Sequence, residues 1–186
     1  MLWLAVGIIA VIIVEFYYIY AFIRARMGKY PPYFPSFGSM KKHVLEQARL
    51  VLKASDRPLR VTDLGCGGGG LLVTLAKEFP QHSFTGYDWD IVPFTIARVK
   101  TKKYKNITLV KDDFFNGDYR NEDLIIAFTG NEIARQISEK LRSELPKNAV
   151  VVSEAFSLPD WTCANEIQTS RIFKKFKVYV YRMDTP

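Results

Sequence analysis

The sequence predicts an α/β domain whose sheet is mostly parallel, finished by a C-terminal antiparallel hairpin and preceded by one transmembrane helix. Three observations carry this. Residues 2–23 are apolar apart from Glu15 and the tyrosine hydroxyls. Between residues 60 and 152 short β-branched runs alternate with helical patterns, and strands joined by helices of that length lie parallel with both faces covered. Near the C-terminus, two strand-like runs follow one another with only a few residues between them.

The chain has 186 residues, room for one domain and an appendage. Twenty-two helical residues span about 33 Å, enough to cross a hydrocarbon core of about 30 Å. Phe16, Tyr17, Tyr18, Tyr20 and Phe22 crowd the C-terminal half of the segment, and Arg24, Arg26 and Lys29 follow it. Aromatic residues sit at membrane interfaces and basic ones on the cytoplasmic side, so the N-terminus is expected outside and the rest of the chain cytoplasmic. No basic n-region or A-x-A site marks a cleaved signal peptide. Glu15 is the one acid inside the segment, and a carboxylate there must be protonated, interfacial or paired.

Three prolines in five residues, Pro31, Pro32 and Pro35, keep the connector 24–38 from continuing as helix. The domain is expected over 39–186. Val44, Leu45, Ala48, Val51 and Leu52 mark a helix from Ser39, its expected cap, to about Ala54. Strands follow at 60–64, 83–88, 106–110, 123–128 and 149–152, with helices at 70–79, 91–102 and 131–145, the last capped by Asn131. The hairpin is expected at 166–172 and 176–183, turning around Lys174 and Lys175.

The informative stretch is Asp63-Leu64-Gly65-Cys66-Gly67-Gly68-Gly69-Gly70, at the junction of the first strand and its helix. Glycines there let the backbone take positive φ and bring amide N–H groups close to a ligand. The spacing fits both the dinucleotide pattern G-x-G-x-x-G and the G-x-G-x-G of methyltransferases. Asp63, two residues before the first glycine, favours a ligand with a cationic amino acid end, such as S-adenosylmethionine. In open α/β sheets ligands sit beyond the carboxyl ends of the strands. Asp63 ends the first strand and is placed for an ammonium. Asp88 ends the second, twenty-three residues after Gly65, and is placed for ribose hydroxyls. Asp113, or its neighbour Asp112, ends the third and is placed for an adenine amino group.

With these residues the chain resembles class I S-adenosylmethionine-dependent methyltransferases, which have a Rossmann-like sheet. More narrowly it is similar to a small membrane-anchored group. That group includes mitochondrial protein-lysine methyltransferases acting on the c-ring protein of ATP synthase and on the adenine nucleotide translocase, with prokaryotic relatives. The likeness runs through the apolar N-terminus, the connector at Pro32–Pro35, Asp63–Gly69 and Gly86-Tyr87-Asp88. It continues in Asp113-Phe114-Phe115, Phe128-Thr129-Gly130-Asn131 and Phe156-Ser157-Leu158-Pro159-Asp160-Trp161. The chain departs at Gly68 and Gly70, where relatives carry Asp and Arg, and at Asp88-Trp89-Asp90, where they carry a Glu-Leu-Asn-like run.

The resemblance implies S-adenosylmethionine as cofactor, bound by Asp63, Gly65, Cys66, Gly67, Gly69, Asp88, Trp89, Asp112, Asp113 and Phe114. It also implies an acceptor side formed by Asn131, Glu132, Glu154 and Trp161, with Phe156 as a further wall. Glu132 has a second reading as a first-turn acid favoured by the helix dipole. The implied partners are the membrane and a protein substrate. Cys66 and Cys163 have neither disulfide-framework nor metal-ligand spacing, so both are expected as reduced thiols and no metal is expected. Net charge is +7, and every basic residue lies beyond residue 23. Such a surface suits phospholipid headgroups or nucleic acid. Methylation of a lipid, quinone or other small molecule, methylation of nucleic acid, and a binding module without turnover are the other readings. Arg98, Lys100, Lys102, Lys103 and Lys105 form a basic run on a helix, expected as a solvated face.

Overall fold

The computed structural model describes residues 2–27, 38–171 and 174–183. The chain divides into two units, Met1–Phe34 and Pro35–Pro186. The first is built on helix α1 (Leu2–Met27), which continues past residue 23. Its window Trp3–Tyr20 is apolar apart from Glu15 and the tyrosine hydroxyls, and none of that window is buried. It is the one helix among the described residues long and apolar enough to cross a membrane. Most of the expected connector, residues 28–37, lies outside the described residues.

The second unit carries α2 (Gly38–Lys53), β1 (Arg60–Leu64), α3 (Gly70–Glu78), β2 (Ser83–Tyr87), α4 (Ile91–Thr101) and β3 (Ile107–Val110). It goes on through β4 (Leu124–Ala127), α5 (Asn131–Glu144), β5 (Val150–Glu154), β6 (Cys163–Arg171) and β7 (Lys174–Arg182). The sheet order is β3-β2-β1-β4-β5-β7-β6. The first five strands are parallel, and β7 inserts antiparallel between β5 and β6. Strand order reverses between β1 and β4, which opens a crevice at their carboxyl ends.

The apolar periodicity explains the layering. Val44, Ala48 and Leu52 of α2 and Leu72 and Leu75 of α3 form one buried cluster with Val61, Ile126, Val152 and Val180. On α5, Ile133, Ile137 and Leu141 are buried, one turn apart. Every buried apolar side chain among the described residues lies between Met40 and Tyr181, so the second unit closes a core without α1.

Three local expectations need correction. Ser39 lies inside α2, which begins at Gly38, instead of capping it. Asn131 is the first residue of α5; the cap position is Gly130 at φ 95°, a value glycine reaches without a side-chain clash. Lys174 and Lys175 belong to β7 instead of the turn, and β6 starts three residues earlier than expected, at Cys163. A register shift between Cys163 and Asn165 hid that start, since it breaks the period of two on which strand recognition depends.

Gly86 on β2 is where sheet and glycine loop press together. A Cβ there would stand 2.5 Å from Leu72 Cδ1 and 2.7 Å from Cys66 Sγ. Gly86→Ala should therefore destabilise residues 35–186 by about 1–3 kcal/mol, the usual range for overpacking, read as a lowered thermal midpoint.

Candidate functional site

The loop after β1 is tied down by β2. Gly65 and Cys66 N–H both donate to the Tyr87 carbonyl, at 2.9 and 2.8 Å, and Gly69 N–H donates to the Cys66 carbonyl at 3.0 Å. Gly65, Gly67 and Gly69 have φ of 80°, 54° and 71°, the left-handed region that disfavours any Cβ. Among the described residues, nothing beyond its chain neighbours lies within 4 Å of where a Gly65 Cβ would be, so open space stands above the loop. Helix α3 starts from Gly69 with no side-chain cap, leaving first-turn amides available to an anion. Lys41 of α2 brings its Nζ to 3.6 Å from an ideal Cβ on Gly70, adding a cation to that helix end.

The other pole of the loop is acidic. Asp88 is buried at the end of β2, with Gly67 N–H donating to one carboxylate oxygen at 2.8 Å and Asp90 N–H to the other at 2.9 Å. Asp63 is buried at the end of β1, and its carboxylate accepts no hydrogen bond among the described residues. Glu154, buried at the end of β5, belongs to the same face. Asp63 is level with Ile126 and Ile126 with Val152, two residues before Glu154, and alternate residues share a face.

Burial, reinforced by the charges of Glu154 and Asp88, pushes the Asp63 carboxyl up to about 8. Burial also raises Asp88, to about 6, against the pull of the Asp90 and Gly67 N–H groups. The Cys66 thiol is raised by burial and then by both aspartates, so it stays a neutral packing group.

At the end of β4, Phe128 stacks on Phe156 with ring centroids 5.8 Å apart. Between them in sequence order, Thr129 is 3% exposed and its hydroxyl has no hydrogen-bond partner among the described residues. A cavity of about 380 Å³ opens beside this pair, lined by Asn131, Phe156, Gln168 and Tyr179, with Lys177 on its wall. The loop after β5 is fixed by the Ser153 hydroxyl donating to the Phe156 carbonyl at 2.5 Å and by Ala155 N–H donating to the Lys177 carbonyl at 2.8 Å. Ala155 holds φ at 69°, a strained value for a residue with a Cβ.

The residues named from sequence thus fall into groups. Asp63, Gly65, Cys66, Gly67, Gly69 and Asp88 gather at one loop, with half-buried Trp89 next in the chain. Asp112 and Asp113 follow β3 and are engaged locally. Asp112 accepts from Asp113 N–H and the Asn116 amide, and Asp113 accepts from Phe115 N–H at 2.9 Å, which sets the single turn that buries Phe114. Asn131 lines the cavity. Glu132 does not join it; it is exposed and paired with Arg135 at 2.7 Å. Trp161 packs edge-on against Tyr181 at 5.7 Å, beneath the Arg142 guanidinium. Glu154 lies with the acids of the glycine loop. Sequence reasoning did not single out Lys41, Gln168 or Tyr179, and it met Thr129 only inside a longer motif. By sequence Lys41 is one of many surface lysines, and Gln168 and Tyr179 reach the cavity only through the pairing of β6 with β7.

The ANTKMT methyltransferase domain family matches residues 63–165. A protein-lysine N-methyltransferase of Saccharolobus islandicus is 26% identical over 81% of this chain and 92% of its own length. A lysine N-methyltransferase of Xenopus laevis, named for the C-type subunit of ATP synthase, is 25% identical over 70% of this chain, which spans 55% of that protein. In three dimensions the chain superposes on an RNA methyltransferase of Salinibacter ruber, solved with S-adenosyl-L-homocysteine. That match has a TM-score of 0.70 and 17% identity, covering 82% of this chain and 95% of the other.

The two raised aspartates give a signed pH dependence. A carboxyl whose folded pKa exceeds its unfolded value of about 3.9 favours folding fully below that value and loses the contribution as pH rises through the folded one. For Asp63 and Asp88 the loss runs from about pH 4 to about 8. The ligand-free thermal midpoint should fall across pH 6–8.5, and Asp63→Asn should flatten that slope. An unchanged slope in the variant would show that other groups set it.

Proposed function

The chain belongs to the ANTKMT methyltransferase family and is an S-adenosylmethionine-dependent methyltransferase, and from that premise we propose that it methylates lysine side chains of a membrane or membrane-associated protein. The observation that carries the reading is a glycine loop bracketed by opposite charges. Buried Asp63 and Asp88 stand at one end, and the uncapped start of α3 with Lys41 stands at the other. That arrangement suits an ammonium and a carboxylate on one amino acid end.

The residues present fit the cofactor. The open space above Gly65 admits it without a clash, and the Thr129 hydroxyl has a hydrogen-bonding capacity that the described protein leaves unused. Asp63 would hold the ammonium, a cation that favours its ionised form against burial. Lys41 and the α3 amides would hold the carboxylate. Asp88, already oriented by two N–H groups, would hold the ribose hydroxyls, with Trp89 beside it; Asp112, Asp113 and Phe114 would form the adenine side. When bound, S-adenosylmethionine supplies a methyl group on a positive sulfur.

The chain's remaining task is to bring a neutral amine in line with that methyl group. A free lysine is almost wholly protonated at neutral pH. Entry along the walls of Phe156 and Tyr179 strips water from the amine and lowers its pKa, while aromatic faces hold the ammonium until it loses its proton. Asn131 offers an amide oxygen at the cavity to orient the amine. Phe128 behind Phe156 keeps the wall in place. Asn131, Phe156 and Tyr179 would hold the neutral amine in line with that methyl group, and the proton shed by the amine would pass to solvent.

The apolar stretch of α1, with Arg24 and Arg26 in the last turns of that helix and Lys29 beyond it, supports a single-pass anchor with the N-terminus outside and the enzymatic unit on the cytoplasmic side. The lysine-methylating relatives support the acceptor.

Two outcomes check this. In membranes holding the full chain, radiolabel from S-adenosylmethionine should appear in protein, and Asp88→Asn should abolish it. Label confined to lipid extracts would move the acceptor to a lipid or quinone. Calorimetry should show Lys41→Met weakening cofactor binding about three- to tenfold, the range expected for one charge-assisted contact; unchanged affinity would remove Lys41 from the site.

A further inference from the structure

Helix α4 turns an apolar stripe to solvent. Its inner side buries Pro93, Phe94, Ala97 and Thr101. On the outer side Ile91, Val92, Ile96 and Val99 are 52%, 42%, 42% and 74% exposed. Val92, Ile96 and Val99 follow the i, i+4, i+7 spacing that lines one face of a helix. Of the large hydrophobic side chains left exposed in the second unit, among the described residues, only Leu50 lies elsewhere. A solvated face, the expectation for this segment, does not concentrate aliphatic side chains in this way.

Charge frames the stripe. At 100° per residue Arg98 falls on one flank and Lys100 on the other, and Lys102, Lys103 and Lys105 close its C-terminal end. All five are exposed, and none forms an ion pair among the described residues. No acidic residue occurs between Asp90 and Asp112. Aliphatic side chains between basic flanks are the composition of a helix that lies in a lipid headgroup layer. Protein-binding hot spots favour Trp, Tyr and Arg anchors in pockets, and this face offers a convex row of Val and Ile.

We propose that the outer face of α4 docks on an anionic lipid surface, with Val92, Ile96 and Val99 entering the headgroup layer and the basic flanks pairing with lipid phosphates. This rests on the reading of the enzyme as membrane-tethered, and it adds a second contact made by the catalytic unit itself. Because α4 starts from Asp90, two residues after Asp88, lipid contact along α4 sets which edge of the cofactor crevice stands near the bilayer. The substrate class that follows is a lysine exposed close to the headgroups.

The test uses residues 35–186, whose core is complete without α1, so α1 failing as an anchor cannot change the result. The fragment should co-sediment with vesicles of 30% phosphatidylserine in phosphatidylcholine and stay in solution with pure phosphatidylcholine. Ile96→Ser with Val99→Ser should cut the bound fraction several-fold at unchanged thermal midpoint. Each of Lys102→Glu and Lys103→Glu should lower partitioning by roughly fivefold or more, from about 1 kcal/mol per basic residue at an anionic surface. Lys147→Glu, on an exposed residue away from α4, serves as the control for general charge. No vesicle binding, binding indifferent to Ile96 and Val99, or an equal loss in the Lys147 control would each overturn the proposal. Salt-sensitive RNA binding that ignores the two aliphatic substitutions would reassign the face to nucleic acid. Carbonate extraction of the full chain from membranes tests the anchor separately.

Discussion

The structure depends on carboxyl groups held out of water beside a glycine-rich turn whose one side chain, Cys66, packs inward. Asp63 and Asp88 end neighbouring parallel strands, and Glu154 adds a third buried acid on the same face. Desolvating a carboxylate is costly, and burial raises the carboxyls of Asp63 and Asp88 above the usual range, Asp63 the more because other acids stand beside it. A cation placed between these acids would relieve that cost. The glycine loop is the counterpart. Its three left-handed residues turn the backbone tightly enough that Gly67 N–H reaches Asp88 while α3 still starts in register with the sheet.

That pair of requirements fixes the neighbouring architecture. Gly86 must lack a side chain because Cys66 and Leu72 of the loop and its helix press against β2. On the opposite side of the switch point, β4 and β5 carry Phe128 and Phe156, whose stacking walls a cavity completed by the hairpin. The glycine loop and the cavity beside Phe156 are therefore built from different strands of one sheet. The cavity lining is mostly aromatic and amide, with no acid among its described residues, a composition that would suit desolvating an amine more than moving protons through a chain of acids.

Sequence made the glycine loop and the acids beside it legible because their determinants are local. Asp63, Gly65, Gly67 and Gly69 lie within seven residues, and Asp88 follows one strand later. Helix and strand periods place both without any tertiary information. Glu132 was less tractable. A first-turn acid near a strand end looks the same whether it faces a ligand or, as here, an Arg135 one turn away. Glu154 carried the opposite ambiguity, since strand parity gives its face only once the neighbouring registers are known.

By itself, the sequence determined that this chain would carry an apolar N-terminal helix, a parallel sheet with acids at its strand ends, and a closing hairpin. Each of those rests on residues close together in the chain. Only the tertiary structure decided that β7 inserts between β5 and β6, that Lys41 from a preceding helix reaches the start of α3, and that Gln168 and Tyr179 share a cavity with Asn131. It also turned the apolar stripe of α4 outward, where the amino-acid pattern alone admitted either a core face or a surface one. Those outcomes depend on which elements become neighbours, and that is settled by packing the whole sheet, not by the spacing of residues along any one segment.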